Sequence, residues 1–109
     1  MPRNKGLEDL IREALPRDLA LNEQAMFGGI AWLLNGNLAL GARSDGMLAR
    51  LGKGQDAWAL ALPGVEPMMM RGRAMDGWVR AGPAAYGDDA LRARLIEAAL
   101  AFVNGLRPK

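Results

Sequence analysis

The sequence predicts an α+β fold of two layers, an antiparallel five-stranded sheet with flanking helices, in the order α-β-β-β-α-β-β-α. Three observations carry this expectation. Asn35-Gly36 stands between two short apolar runs, the strongest short-range hairpin signal, because both turn residues must accept a positive φ. An amphipathic segment precedes the strands, and a longer helical pattern with its own cap closes the chain.

The elements follow in order. Leu7, Leu10, Ile11, Ala14 and Leu15 recur at i, i+3, i+4, i+7 and i+8, which places them on one face of a helix over Gly6 to Leu15. Residues 1–5 read as a loose tail. Pro16 disfavours continuation of the helix, although a short turn can reach Leu21. From Met26 the pattern changes. Ile30 to Leu34 is the first strand, and Asn37 to Arg43 returns from the Asn35-Gly36 turn as the second. Ser44-Asp45-Gly46 marks another turn before a third strand, Met47 to Leu51. Gln55 to Leu62 reads as a helix stopped by Pro63-Gly64. Val65 to Met70 is a strand whose Pro67 suits a sheet edge. Arg71-Gly72-Arg73 is turn-like, and Trp78-Val79-Arg80 is the fifth strand, broken by Gly82-Pro83. The final helix runs from Asp88 or Asp89, which suit an N-cap, to Asn104, with Gly105 in the left-handed C-terminal position.

With 109 residues the chain has room for one domain, 1–109. The net charge is +2, and 11 of the 14 cations are arginines dispersed with no basic run, unlike the clustered footprint of a nucleic-acid binder. There is no cysteine, the N-terminal residues are charged rather than signal-like, and no stretch nears the ~20 apolar residues of a membrane span. A soluble cytoplasmic protein without membrane contact is expected.

The residue inventory bounds the chemistry more sharply. His, Cys and Thr are absent, and Ser44 and Tyr86 are the sole residues of their types. A Ser–His–Asp or Cys–His site cannot be built, and the usual zinc ligands are missing. A Ser–Lys pair would have to join Ser44 to Lys5, Lys53 or Lys109. Paired carboxylates stay open in principle, but the acids fall mostly on helix surfaces. Phosphate-loop and dinucleotide fingerprints are absent. The expectation is a non-enzyme with no catalytic residue, no metal and no cofactor.

Several segments together resemble the N-terminal domain of the TfoX competence-regulator family. They are Met26-Phe27-Gly28-Gly29, then Leu34-Asn35-Gly36-Asn37-Leu38, then Arg71 to Val79 with Gly77-Trp78, and a closing helix through Ala101-Phe102-Val103-Asn104-Gly105-Leu106. The resemblance runs from about residue 7 to the end. It implies a two-layer α+β domain similar to type III secretion chaperones, and a role in regulating competence genes. Fuller members add a C-terminal helical domain and act with the cyclic-AMP receptor protein; these 109 residues correspond to the N-terminal domain. The resemblance implies no catalytic residues.

The first hairpin supplies the candidate interface. Simple alternation puts Ala31, Leu33, Leu38 and Leu40 on one face, and Ile30, Trp32, Leu34 and Ala39 on the other. Both faces are apolar. Ile30, Trp32 and Leu34 are therefore candidate contacts to a homodimer or protein partner, unless a helix or the tail covers them. Arg71 and Arg73 are candidate anion contacts, and collection of Arg43, Arg50 and Arg80 on one face depends on register. Any nucleic-acid contact is expected to be indirect. Gly28-Gly29 reads as a bulge or a close backbone crossing. Two functions stay open: a protein-interaction module, or a small-ligand domain with a pocket between sheet and helices near Trp58, Trp78 and Met68-Met69-Met70.

Overall fold

The computed structural model describes residues 3–26 and 28–109. Phe27, quoted in the family resemblance, and the first two residues of the expected tail lie outside the described residues. The fold is α+β with an open antiparallel sheet and flanking helices. The elements are α1 (Lys5–Ala14), β1 (Leu21–Met26), β2 (Gly29–Leu34), β3 (Asn37–Arg43), β4 (Gly46–Arg50), α2 (Ala57–Leu60), β5 (Val65–Met70), β6 (Arg73–Ala81), α3 (Pro83–Tyr86) and α4 (Asp89–Asn104). The sheet has six strands rather than five, in the order β1-β2-β3-β4-β6-β5.

The additional strand is β1. Asn22, Glu23 and Gln24 are exposed along it, so it lacks the apolar alternation that marks a half-buried strand. β1 and β5 form the two edges, and β5 carries Pro67. The expected helix over 55–62 shrinks to one turn, because Asp56 makes no side-chain cap and Gly64 turns the chain at φ +81°. β6 is three times its expected length. Asp76-Gly77, just before the expected strand, lies inside β6 instead. Gly105 ends α4 in the right-handed region, at φ −84°.

Local chemistry explains the boundaries. The Asn4 side chain accepts from Leu7 N–H and donates through Nδ2 to the Tyr86 hydroxyl, so the segment read as a tail caps α1. Asp88 accepts from the N–H groups of Ala90 and Leu91 and caps α4. Asn35 and Gly36 have φ +55° and +82°, as a two-residue hairpin turn requires. Arg71 and Gly72, at +53° and +78°, form a second turn of the same kind between β5 and β6. At Gly29 a Cβ would collide with the Ala42 carbonyl, so the glycine permits close crossing of β2 and β3.

Pleat parity then assigns the two faces of the sheet. Ile30, Trp32 and Leu34 turn toward the helices and join Leu7 and Ile11 of α1 and Leu95, Ile96 and Ala99 of α4 in one core cluster. Trp32 pairs with Leu40, but the next pair is Leu33 with Leu38, which leaves Ala39 as an extra residue. This bulge overturns the simple alternation: Leu40 shares the core face with Trp32, and Ala39 joins it there. Met47, Ala49, Val79 and Ala81 continue the same face across β4 and β6.

An ion-pair network pins α1 to the edge of the sheet. Arg12 donates through Nε and Nη2 to both Glu23 carboxylate oxygens, at 2.8 and 2.9 Å, and the Trp32 indole N–H donates to Glu23 at 3.1 Å. Arg3 donates to both oxygens of the buried Glu8. The Arg12 guanidinium, aided by the indole N–H, holds the Glu23 carboxyl below its ordinary value of 4.5. A lowered native pKa stabilises the fold at and above that ordinary value and is lost as pH falls through the native one. Glu23→Gln should therefore flatten the acid limb of thermal stability below about pH 4.5, measured by circular dichroism across a pH series. In a second prediction, Arg71→Asn should raise stability by roughly 0.5–1 kcal/mol, because Asn tolerates the left-handed conformation better than Arg. Urea denaturation measures it.

Candidate functional site

The face of the sheet opposite the helices has two chemically distinct halves. At one end Arg43 forks onto Asp45, and Arg80 donates to Glu66 at 2.8 Å and to the Asp45 carbonyl at 2.8 Å. These charges satisfy one another. Leu48, fully buried, sits behind them beside Gly41 on the neighbouring strand.

The other half is an open groove of about 450 Å³. Met26, Leu33 and Leu38 line it on the side of the first hairpin. Met68, Met70, Met75 and Trp78 line it on the side of β5 and β6. A bulge builds the second wall. Pro67 pairs with Val79 and Met69 with Ala74, so Met68 stands opposite the four residues Met75 to Trp78. Gly77 sits in this bulge at φ +82°, and its carbonyl accepts from the N–H groups of Leu51 and Gly52, where β4 leaves the sheet. A Cβ at Gly77 would overlap the Gly52–Lys53 backbone. The segment after α4 closes one end: Asn37 Nδ2 donates to the Arg107 carbonyl, and the Lys109 N–H donates to the Asn35 carbonyl.

Arg50 lies on this face, paired in register with Trp78. Its guanidinium donates to the Leu38 carbonyl at 3.3 Å and stands 5.9 Å from the Trp78 ring and 5.8 Å from the Phe102 ring. Among the described residues no carboxylate lies within ion-pair distance of it. Among the described residues, no acidic side chain lines the groove.

The sequence-predicted residues fall in different places. Ile30, Trp32 and Leu34 are 7%, 2% and 2% exposed and lie under the helices, so the candidate interface moves to the opposite face. Pleat parity puts the three on one face, and α1 and α4 pack on that face. Arg71 and Arg73 are exposed at the β5–β6 turn, beside Met70 and Met75. Arg43, Arg50 and Arg80 share one face, but Arg43 and Arg80 are neutralised. Trp78, Met68 and Met70 line a groove together, while Met69 is exposed. Trp58 lines a separate hollow with Leu51, Ala98 and Phe102, and the Arg94 guanidinium is 4.3 Å from its ring. The core cluster packs between sheet and helices. That Arg50 is left without a carboxylate partner has no signature in the sequence, since it depends on what folding places beside each arginine.

Tyr86 hydrogen-bonds to Asn4, and Ser44 lies exposed in the β3–β4 turn. Among the described residues no three acidic side chains come together to hold a metal ion, and no helix is long and apolar enough to cross a membrane. No protein-family model, curated protein or solved structure matches this chain.

The face assignment makes a direct prediction. Trp32→Ala should destabilise the fold by about 3–5 kcal/mol. Met75→Lys, on the groove side and 36% exposed, should change stability by less than about 0.5 kcal/mol. Paired urea titrations test both.

Proposed function

We propose that this chain is a non-enzymatic protein-interaction module, and that the Met-lined groove on the open face of its sheet is the docking surface. The observation that carries this reading is the apolar half-face itself. An antiparallel sheet covered on one side normally turns polar residues to water on the other. Here the Arg43–Asp45 and Arg80–Glu66 half follows that rule, and the Met68–Trp78 half does not. Methionines conform to varied partner surfaces, and Trp and Arg are the usual energetic anchors of an interface.

The shape favours a protein segment over an enclosed small molecule. Small-molecule sites commonly bury 70–90% of their ligand, whereas this groove is open along its length. A volume of about 450 Å³ still suits a compact amphiphile, which is the second reading. A symmetric homodimer through this face is less favoured by charge, because an isologous pairing would set one surface bearing Arg50, Arg71 and Arg73 against another. The reading accords with the TfoX resemblance. We extend it to a TfoX-like, secretion-chaperone-like domain that acts in the cytosol through a protein partner, with any nucleic-acid contact made indirectly by that partner.

A photo-crosslinking amino acid placed at Met75 tests the proposal, with the same probe at Glu97 on α4 as control. The Met75 probe should capture a discrete protein in cells, and excess wild-type chain should compete it away. The Met70→Glu/Met75→Glu double variant should fail to compete. Equal capture from both positions, or none from Met75, would count against the groove as the docking surface.

A further inference from the structure

We propose that the groove recognises an acidic–apolar peptide segment, whose carboxylate is received by Arg50 while its apolar side chains lie along Met68, Met75 and Trp78. This rests on the docking reading above and names the chemistry of the partner.

Three observations carry it. The first is the state of Arg50. Arg3, Arg12, Arg43, Arg80 and Arg92 each have a carboxylate partner. Arg17, Arg50, Arg71, Arg73, Arg94 and Arg107 have none among the described residues, and of these Arg50 lines the groove; a backbone carbonyl and two aromatic rings hold its guanidinium in place. Its Nε and Nη2 find no acceptor among the described residues. A guanidinium offers a planar fork that matches a carboxylate, and aromatic neighbours fix it without neutralising it. The second is the composition of the walls: among the described residues, no acidic side chain lines the groove, and Lys109 stands at the end nearest the first hairpin. The third is continuity. Met70 and Met75 border both the groove and the adjoining hollow at the β5–β6 turn, where Arg71 and Arg73 stand exposed. Asp76 also lines that hollow, set against the two arginines. The apolar floor thus leads from a seated cation to an exposed pair, a charge pattern complementary to a segment with one anchoring acid and further acids beyond its apolar residues.

Selection of a random 16-residue phage-displayed peptide library on the immobilised full chain tests the proposal. Chosen peptides are then synthesised and measured by fluorescence anisotropy. Winning sequences should be rich in Asp or Glu flanking apolar residues. Their Asn/Gln counterparts should bind about 10- to 100-fold more weakly, as expected for loss of a charge-assisted hydrogen bond. Arg50→Gln should cause a similar loss, Arg50→Lys a smaller one, and affinity for the acidic peptides should fall with salt. Arg71→Gln/Arg73→Gln, exposed and remote from the core, should weaken binding about 2- to 5-fold, which keeps a readout should Arg50→Gln unfold. Peptides without acids that still lose binding in Met70→Glu/Met75→Glu would overturn the acidic partner and leave the docking groove standing. Peptides indifferent to the groove variant, or no peptides at all, would overturn both. Binding of decanoate alone, lost in Arg50→Gln and without peptide enrichment, would overturn a peptide partner in favour of a small amphiphile.

Discussion

Pleat parity at the first hairpin governs the rest of the domain. The Asn35-Gly36 turn opposes Leu34 to Asn37, and side chains alternate faces from there with a period of two. Trp32 therefore lands among Leu7, Ile11 and the α4 side chains, and its indole N–H reaches Glu23. The bulge at Ala39 then resets parity, so that Leu40, rather than its neighbour, lies opposite Trp32. Had the pairing continued without a bulge, Gly41 rather than Leu40 and Ala42 would face the core. Leu38 precedes the bulge, and the turn itself sets it outward beside Leu33, on the floor of the groove. Turn and bulge together thus serve the candidate site on one face and the core on the other.

The supply of helix sets the second constraint. Two helices exceed one turn, α1 and α4, and both pack on the same side of a six-stranded sheet. A chain of this size has little else with which to cover the opposite face. That face solves half of its problem with charge, through carboxylate partners for Arg43 and Arg80. In the other half the β6 bulge gathers Met75 and Trp78 beside Met68. The apolar surface is consequently concentrated in a concavity rather than spread over the sheet. Concentrated apolar surface with a cationic rim is the form that marks interaction sites on otherwise polar proteins.

How much of this is legible in the sequence depends on how local the cause is. Caps and turns are local. Asp88 at the start of α4 and Asn35-Gly36 in the first hairpin can be read directly, and α1 and α4 follow from helical spacing. β1 is hidden because an edge strand with three exposed polar residues needs only its backbone to pair. The first part of β6, before Trp78, is hidden for a different reason, since Asp76-Gly77 has the composition of a turn but closes a bulge held by Leu51 and Gly52. The two apolar faces of the first hairpin are evident in the sequence, yet their assignment to core and surface is not. That assignment follows from which side α1 and α4 approach, and from a bulge that nothing in the residues around Ala39 announces.

Charge follows the same logic at the level of the whole molecule. Eleven dispersed arginines and a net charge of +2 suggest no electrostatic specialisation. Folding changes that by pairing selectively. Arg3 and Arg12 hold α1, Arg43 and Arg80 neutralise the polar half-face, and Arg92 ties α3 to α4 through the Tyr86 carbonyl and Asp89. Arg17, Arg50, Arg71, Arg73, Arg94 and Arg107 are left without carboxylate partners among the described residues, and of these Arg50 lines the groove while Arg71 and Arg73 line the adjoining hollow. Arg71 stands there in a left-handed turn position that suits Asn or Gly better, as Asn35 illustrates in the equivalent turn of the first hairpin. A cation held at a conformational cost at the edge of an apolar groove, where Asp76 is set against both Arg71 and Arg73, fits charge complementarity to a partner more readily than the stability of the fold.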